Sequence, residues 1–327
     1  MRNTFRHLTM SITAAAFGII GSATVALAEF PEKPITILAY MKPGGAADVD
    51  SRKFAVIAER LTGSSFVVKN KTGAGGIVAM KSVLEQSADG YLLMATTKSQ
   101  VYKVVTAASD IDVEEFEWLA LNQRDPEAII TNKDADVNTW EQIVADAAAK
   151  GAEGERQIWV GPAAGGLDHV TAMKVWSAAG INPDHVKYVP FQGGKAAMVE
   201  LLGERGVVYV GNPRDTLGQP KLKVAALSRH ARLPDFPDAP TFAELGVSGL
   251  DGEIMWRGFA IKAGIPDEAR AFWNDLFVKV SQDPEWIEHV EKSSIDPVLD
   301  GHDAFLATVK KDMAEVAVWA TEAGILN

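Results

Sequence analysis

Three glycine-containing segments lie where a predicted strand gives way to a predicted helix: residues 43–48, 73–76 and 161–168. A helix N-terminus presents unpaired N–H groups and a partial positive charge, so such a junction favours binding of a carboxylate or phosphate. Glycine also lets a ligand approach the backbone closely. Each segment alone is equally well explained as a tight connection. Two similar junctions in separate halves of one chain favour an anionic ligand held between two lobes.

Charged side chains near these junctions are further candidates for ligand contacts. Arg214 and Arg257 are the candidate cations, because each follows or interrupts an apolar run near a predicted lobe boundary. A guanidinium can bind a carboxylate through two parallel hydrogen bonds, although surface arginines are common. Asp48 falls at about the third residue of its predicted helix, where a carboxylate suits the helix dipole. It would repel an anionic ligand unless it faces away or receives an amine or hydroxyl donor.

The sequence lacks the motifs of common hydrolases and nucleotide-binding enzymes. No G-x-S-x-G pattern occurs, and residues 193–195 lack the Ser or Thr that follows the lysine of a phosphate-binding loop. Val78 stands where a dinucleotide-binding loop has Gly or Ala. With no cysteine and no histidine pair at metal-ligand spacing, we predict no cofactor and no metal. For the adjacent Asp168 and His169, a helix-capping aspartate beside an ordinary histidine is a better explanation than an acid–base pair.

Short apolar runs alternate with helical patterns, which predicts an α/β fold with parallel sheets covered by helices. Residues 96–100 are predicted as a loop and residues 232–240 as a proline-rich crossing segment. Roughly the last sixty residues are predicted as mostly helical, with Pro266 and Pro284 at helix starts. Predicted strands cover residues 35–40, 65–69, 91–95, 118–121, 128–131, 157–160, 186–189, 207–210 and 224–227. Predicted helices cover residues 46–61, 77–86, 170–179 and 196–202, and another begins at Asn138 and Thr139.

The N-terminal residues predict export. Arg2 and Arg6 precede an apolar run over residues 10–27, and the run ends at Ala28, which is the layout of a cleavable signal peptide. We therefore assign residues 1–28 to a signal peptide and expect the mature protein in the periplasm, not embedded in the membrane. The formal charge of −11 comes without any basic run, so we expect no nucleic-acid partner.

Several short motifs, in their order along the chain, resemble the substrate-binding proteins of tripartite tricarboxylate transporters, often called the Bug or TctC family. The first half carries residues 30–35 (FPEKPI), 43–48 (PGGAAD), 70–76 (NKTGAGG) and 88–91 (ADGY). The second half carries residues 233–235 (LPD), 239–241 (APT), 244–246 (ELG), 256–259 (WRGF) and 264–266 (GIP). The likeness extends over residues 29–327, and the ordered set is more specific than any single motif.

The resemblance implies a type II periplasmic-binding-protein fold, a Venus flytrap of two α/β lobes with a ligand cleft between them. We expect residues 29–127 with 253–327 to form lobe 1 and residues 128–252 to form lobe 2. The resemblance also implies that loops 43–48 and 161–168 hold a ligand carboxylate, largely through backbone amides and ordered water. Together with the candidates from the residues themselves, the expected ligand-binding residues are Pro43, Gly44, Gly45, Ala46, Asp48, Thr97, Ala164, Gly165, Gly166, Asp168, Asn212 and Arg214.

This chain departs from the family pattern at three places. Residues 161–167 contain no Ser or Thr, residues 40–42 (YMK) replace a more apolar approach to the first loop, and Gly211 replaces an acidic residue. These differences bear on the identity of the ligand more than on the mechanism. Candidates for binding a second ligand carboxylate are Lys42, Lys98 and Arg214.

The leading hypothesis is a monomeric binding protein, not an enzyme, that captures a small organic carboxylate and delivers it to inner-membrane transporter subunits. Dicarboxylates, tricarboxylates, aromatic acids and amino acids all fit this description. The main alternative is a secreted enzyme acting on a carboxylic acid through Asp48, Asp168 or His169, which predicts turnover. The binding protein of an ATP-driven importer would share the fold, and a sensor kinase that reads the closed form is a further possible partner.

Overall fold

The computed structural model describes residues 30–322 and residue 326, and the predicted signal peptide lies outside the described residues. The strands are β1 (Ile35–Ala39), β2 (Phe66–Asn70), β3 (Leu92–Thr97), β4 (Phe116–Pro126), β5 (Ala128–Asn132), β6 (Gln157–Pro162), β7 (Val186–Phe191), β8 (Val208–Gly211), β9 (Leu222–Leu227), β10 (Ile254–Lys262) and β11 (Asp296–Gly301). The α-helices are α1 (Ala46–Thr62), α2 (Ile77–Leu84), α3 (Lys98–Thr106), α4 (Trp140–Ala152), α5 (Leu167–Ala178), α6 (Gly194–Leu202), α7 (Asp267–Ser281), α8 (Pro284–Glu291) and α9 (His302–Glu322). None of the described helices is both long and apolar enough to cross a membrane.

The strands form two mixed sheets. In the first sheet the strand order is β11-β4-β10-β3-β1-β2, and β1 runs parallel to β2 and β3. In the second sheet the order is β7-β6-β8-β5-β9, and β6 runs parallel to β7 and β8. β10 is antiparallel to β3 and β4, and β5 is antiparallel to β8 and β9. The predicted parallel arrangement thus holds only for the βαβ units, because β4 and β10 carry the chain out of the first sheet and back into it.

Each sheet has its own hydrophobic core, and we call each sheet with its packed helices a lobe. Lobe 1 is built on the first sheet and buries Phe54, Trp118 and Trp256. Lobe 2 is built on the second sheet and buries Trp159 and Phe242. Burying one such large apolar side chain stabilises the fold by about 2–3 kcal/mol. Separate cores favour movement of the lobes as units, and the predicted division of the chain between them stays a prediction.

The chain crosses between the two sheets twice, at Glu127 between β4 and β5 and over residues 228–253 between β9 and β10. The crossings are hydrogen-bonded to each other. The N–H of Glu127 donates to the carbonyl of Glu253 at 3.1 Å, and the N–H of Ser228 donates to the carbonyl of Glu127 at 3.0 Å. Two adjacent crossings of this kind are suited to a hinge motion.

The structure differs from the predicted elements near the interface of the lobes. Residues 96–100 are not a loop, because they end β3 and begin α3. The first turn of α3 is polar, so its sequence does not show the apolar spacing of a helix. Tertiary contacts nevertheless bury Lys98 and Gln100. α5 begins at Leu167, three residues before its predicted start, and β11 interrupts the predicted helical C-terminal region. The predicted start of α4 is confirmed, since Thr139 forms a capping box there.

Candidate ligand-binding cleft

The first loop, residues 41–45, is fixed from behind by Asp48. The Asp48 carboxylate accepts hydrogen bonds from Gly44 N–H, Asn70 Nδ2 and Arg52 Nη2, each at 2.8 Å, and the residue is buried. Burial raises the pKa of Asp48, but the hydrogen bonds from Arg52 and Gly44 outweigh it and hold the pKa below its ordinary value. The carboxylate is therefore hydrogen-bonded within lobe 1, where it fixes the conformation of the first loop.

Lobe 2 brings a positive charge to this loop. A Cβ added at Gly44 would lie 3.2 Å from the Nζ atom of Lys195, the second residue of α6. Gly45 is the N-cap of α1 and gives it no side-chain cap, so the first-turn N–H groups at Ala46 and Ala47 have no side-chain partner from the cap. An ammonium and an uncapped helix N-terminus from opposite lobes thus lie together, an arrangement that favours an anion.

The second loop, residues 163–166, is shaped within lobe 2 by a neutral histidine. His169 Nδ1 accepts a hydrogen bond from Gly165 N–H at 3.1 Å, and its ring stacks on Tyr188 at 4.5 Å between centroids. Tyr188 in turn donates to the carbonyl of Pro162 at 2.7 Å. Burial lowers the pKa of His169 to about 4, with a smaller contribution from Lys103, so the ring is neutral and can accept this bond at pH 7.

The second loop also packs directly on α3 of lobe 1. Lys103 Nζ donates to the carbonyl of Ala164 at 2.9 Å, and Thr106 Oγ1 donates to the carbonyl of Gly165 at 2.8 Å. Gly165 has a φ of +71°, and a Cβ there would come within 2.4 Å of Thr106 Oγ1. A Cβ at Gly166 would approach a serine of α3 equally closely. These contacts describe two lobes closed on each other, and they require glycine in this loop.

An ion pair joins the lobes beside the first loop. Arg214 of lobe 2 donates from both Nη atoms to Asp50 of α1, at 3.1 and 3.3 Å, and His289 Nε2 lies 2.9 Å from the same carboxylate. Only 11% of the Arg214 side chain and 8% of the Asp50 side chain are exposed. Burial raises the pKa of Asp50, but Arg214 and His289 outweigh it and lower the pKa. In this closed form the Arg214 guanidinium binds Asp50 and bridges the lobes.

Polar groups are also buried at the hinge end of the cleft. Arg257 donates to Asp125 at 2.8 Å and to the Asn212 side-chain oxygen at 3.2 Å. The Asn212 amide nitrogen donates to Glu127 Oε1 at 2.9 Å. All four residues are buried, so Asn212 connects a β-strand of lobe 1 to the crossing residue Glu127.

Asp168, the second residue of α5, lies beside this network, and its carboxylate accepts a hydrogen bond from its own backbone N–H. It is buried, and no other side chain of the described residues donates a hydrogen bond to it. Burial raises the pKa of Asp168, and the neighbouring carboxylates Asp215 and Asp125 raise it further. Burial also raises the pKa of Glu127, and the charges of Asp168 and Asp125 add to the effect. Thr97 lies on the lobe 1 side, where its hydroxyl is 2.7 Å from that of Tyr40.

Two sequence-based suggestions do not fit the cleft. Loop 73–76 packs on α3 within lobe 1, where Gln100 Nε2 donates to the carbonyl of Gly76 at 3.0 Å. Lys98 is buried 3.2 Å from Asp312, so it is not available for a second ligand carboxylate. Pro43 and Lys42 are exposed at the edge of the first loop. Within residues 30–322 no cluster of His, Asp and Glu is arranged to hold a metal ion.

Sequence reasoning missed the residues that reach across from the opposite lobe. Asp50 and Glu127 carried no motif, and Lys195 was considered only as part of an incomplete phosphate-binding loop. Lys195 could have been found from its position after two glycines at a helix start, the same feature that marked residues 43–48 and 161–168. Nothing in the local sequence indicates that Asp50 pairs with Arg214, because the two residues are 164 positions apart.

Comparisons with known proteins identify the family. The family profile described as "Tripartite tricarboxylate transporter family receptor" (TctC) matches residues 51–316. The protein BugT of Bordetella pertussis is 27% identical over 246 residues, which are 72% of this chain and 72% of that protein. A UPF0065 protein of Cupriavidus necator is 24% identical over 316 residues, 93% of each chain.

Solved structures show the same architecture. The periplasmic binding protein BugD has a TM-score of 0.77 at 24% identity, covering 90% of this chain and 99% of that one. MatC from Rhodopseudomonas palustris, with bound malate, has a TM-score of 0.76 at 18% identity, covering 89% and 98%. An R. palustris protein with adipate has a TM-score of 0.80 at 20% identity, covering 90% and 99%. These likenesses establish the type II Venus-flytrap fold, and the profile match over most of the sequence shows that the chain belongs to the tripartite tricarboxylate transporter receptor family of solute-binding proteins.

Proposed function

We propose that this chain is a periplasmic, monomeric solute-binding protein that closes its two lobes on a small organic carboxylate. The closed protein would deliver the ligand to the inner-membrane subunits of a tripartite tricarboxylate-type transporter. The observation that carries the proposal is the approach of Lys195 Nζ to Gly44 across the cleft, beside the uncapped start of α1. Export by the predicted signal peptide, residues 1–28, belongs to the same proposal.

Local dipoles and single charges explain how a protein of net charge −11 would bind an anion. The acidic residues near the first loop are engaged: Asp48 accepts hydrogen bonds from three residues, and Asp50 is paired with Arg214 and His289. Among the described residues, Lys195 forms no ion pair at this end, and the first turn of α1 has no side-chain cap. The structurally similar proteins solved with malate and with adipate support a carboxylate as the ligand class.

The enzyme alternative has less support. Asp48 is held by three donors, and His169 Nδ1 already accepts a hydrogen bond from Gly165 N–H. A general base must be free to take a proton from the substrate. Of the three candidates for acid–base chemistry, only Asp168 lacks a side-chain partner among the described residues, and a single carboxyl group does not define a reaction.

A thermal-shift screen of residues 29–327 tests the proposal. The protein would be unfolded and refolded to remove carried-over ligand, then screened against small carboxylates and their neutral amides. A ligand at a hundred times its dissociation constant stabilises by about 2.7 kcal/mol, which raises the melting temperature by several degrees. We expect at least one acid to bind and to be recovered unchanged, while its amide does not bind. Consumption of the acid, or no binding across a broad panel, would refute the proposal.

A further inference from the structure

Resting on the proposed function, we infer that the bound carboxylate also carries an amino group, and that Asp168 with Glu127 receives this group in the cleft. The inference begins with Asp168, which is buried at the interface of the lobes without a donor from any other side chain of the described residues. Glu127 is fully buried and accepts one hydrogen bond from Asn212, while its Oε2 atom has no partner among the described residues. A buried acceptor without a donor is costly, so an arriving donor is favoured there.

The surrounding protein groups do not supply this donor. Tyr188 donates to the carbonyl of Pro162, and Tyr209 donates to Asp215 at 2.6 Å. The Tyr40 hydroxyl is paired with that of Thr97. These three tyrosines, whose pKa values are raised by burial and further by the charge of Asp168, are therefore already engaged.

Arg257, a cation whose charge acts on Asp168, is also occupied. Arg257 donates to Asp125 at 2.8 Å and to Asn212 at 3.2 Å. The charged groups that act on Asp168 thus include Arg257 and the acids Asp125, Glu127 and Asp215. Three acids outnumber Arg257 around Asp168, whereas Lys195 forms no ion pair among the described residues. A zwitterionic ligand matches both ends, with its carboxylate at the first loop and its ammonium at Asp168.

The position of Asp168 allows such a ligand to be small. Asp168 adjoins Leu167, whose N–H donates to Ser99 Oγ of lobe 1 at 3.0 Å. Two residues before Ser99, the Thr97 hydroxyl lies 2.7 Å from that of Tyr40, which immediately precedes the first loop. The carboxyl group from lobe 2 and the loop from lobe 1 therefore lie on facing walls of the same cleft. A ligand that spans them needs its amine near its carboxylate, as in an α-amino acid.

Isothermal titration of refolded residues 29–327 with matched pairs of acids tests the inference: alanine and propionate, aspartate and succinate, glutamate and glutarate, phenylalanine and 3-phenylpropionate. We expect an amino acid of one pair to bind at least tenfold more tightly than its amine-free partner. Because an ammonium favours the ionised carboxyls, its affinity should rise with pH between 5.5 and 8, and binding should release protons. Tighter binding of the amine-free acid, with affinity falling as pH rises, would overturn the inference and leave the proposed carboxylate receptor intact.

Two variants locate the amine. Asp168→Asn should weaken the amino acid at least tenfold and leave the amine-free acid within threefold. Glu127→Gln, which keeps the shape and the bond from Asn212, serves as a second test should Asp168→Asn fail to fold. Asp184→Asn is the control, because Asp184 lies on the exposed surface of lobe 2. An unchanged preference for the amino acid in both folded variants would overturn the inference. If no acid of either kind binds, both the inference and the proposed function fail.

Discussion

Removal of Arg214 tests whether the Asp50–Arg214 ion pair acts as a latch between the lobes. Arg214→Met would leave the Asp50 carboxylate at the closed interface with His289 as its remaining partner. Removing one partner of a buried ion pair costs roughly 3–5 kcal/mol. In the open form Asp50 would regain water, so most of this cost falls on closure. Since His289 retains part of the interaction, we expect closure to lose about 2 kcal/mol, which weakens ligand binding about thirtyfold.

A double-mutant cycle separates a latch from a ligand contact. Asp50→Asn with Arg214→Met removes both charges, so no uncompensated carboxylate remains on closing. The double variant should therefore recover most of the affinity that Arg214→Met loses. Dissociation constants of all four proteins would be measured by isothermal titration, with small-angle scattering to follow closure. If the double variant binds as weakly as Arg214→Met, Arg214 contacts the ligand directly and the latch is refuted.

Three further predictions concern the loops. The pKa of His169 is about 4 in the folded protein against about 6.5 unfolded, so the stability that its neutral ring contributes is complete above pH 6.5 and is lost as pH falls toward 4. In chemical denaturation, the free energy of unfolding of the wild type should therefore fall by about 3 kcal/mol more over this interval than that of His169→Asn. Gly165→Ala and Gly180→Ala both place alanine at a positive φ, costing about 1–2 kcal/mol in stability, but only Gly165→Ala should weaken ligand binding tenfold or more, because only its Cβ meets the opposite lobe. Lys195→Met should weaken carboxylate binding about threefold and reduce the salt dependence of binding, whereas the control Lys187→Met on the same lobe should change neither. Equal effects of the two lysine variants would contradict the role given to Lys195.

The elements that follow apolar periodicity were predictable from sequence, and those that depend on contacts between distant residues were not. Helix α1 begins at Ala46 as predicted, because the apolar spacing and the preceding glycines are local signals. Helix α3 was missed because its polar first turn is buried by contacts with residues far along the chain, such as Asp312. Tertiary contacts override local pattern at such a place.

The candidate site shows the same division. Both glycine loops lie where predicted, since a strand, a glycine turn and a helix form a local unit. Asp48 illustrates what the sequence left open, because both a ligand contact and a structural role suited its position, and its three donors come into view only in the structure. The charge balance of the cleft depends on Asp50, Glu127 and Lys195, which no spacing rule selects.

The start of α5 has a consequence for how the protein would report its own state. Gly166 gives this helix no side-chain cap, and the first-turn N–H of Leu167 is instead received by Ser99 Oγ of lobe 1 at 3.0 Å. The N-terminus of α5 in one lobe is thus capped by a hydroxyl group from the other lobe, so this capping hydrogen bond forms as the cleft closes. Hydrogen exchange at the Leu167 amide should slow when the lobes meet, so the exchange rate of this single amide would report the lifetime of the closed form.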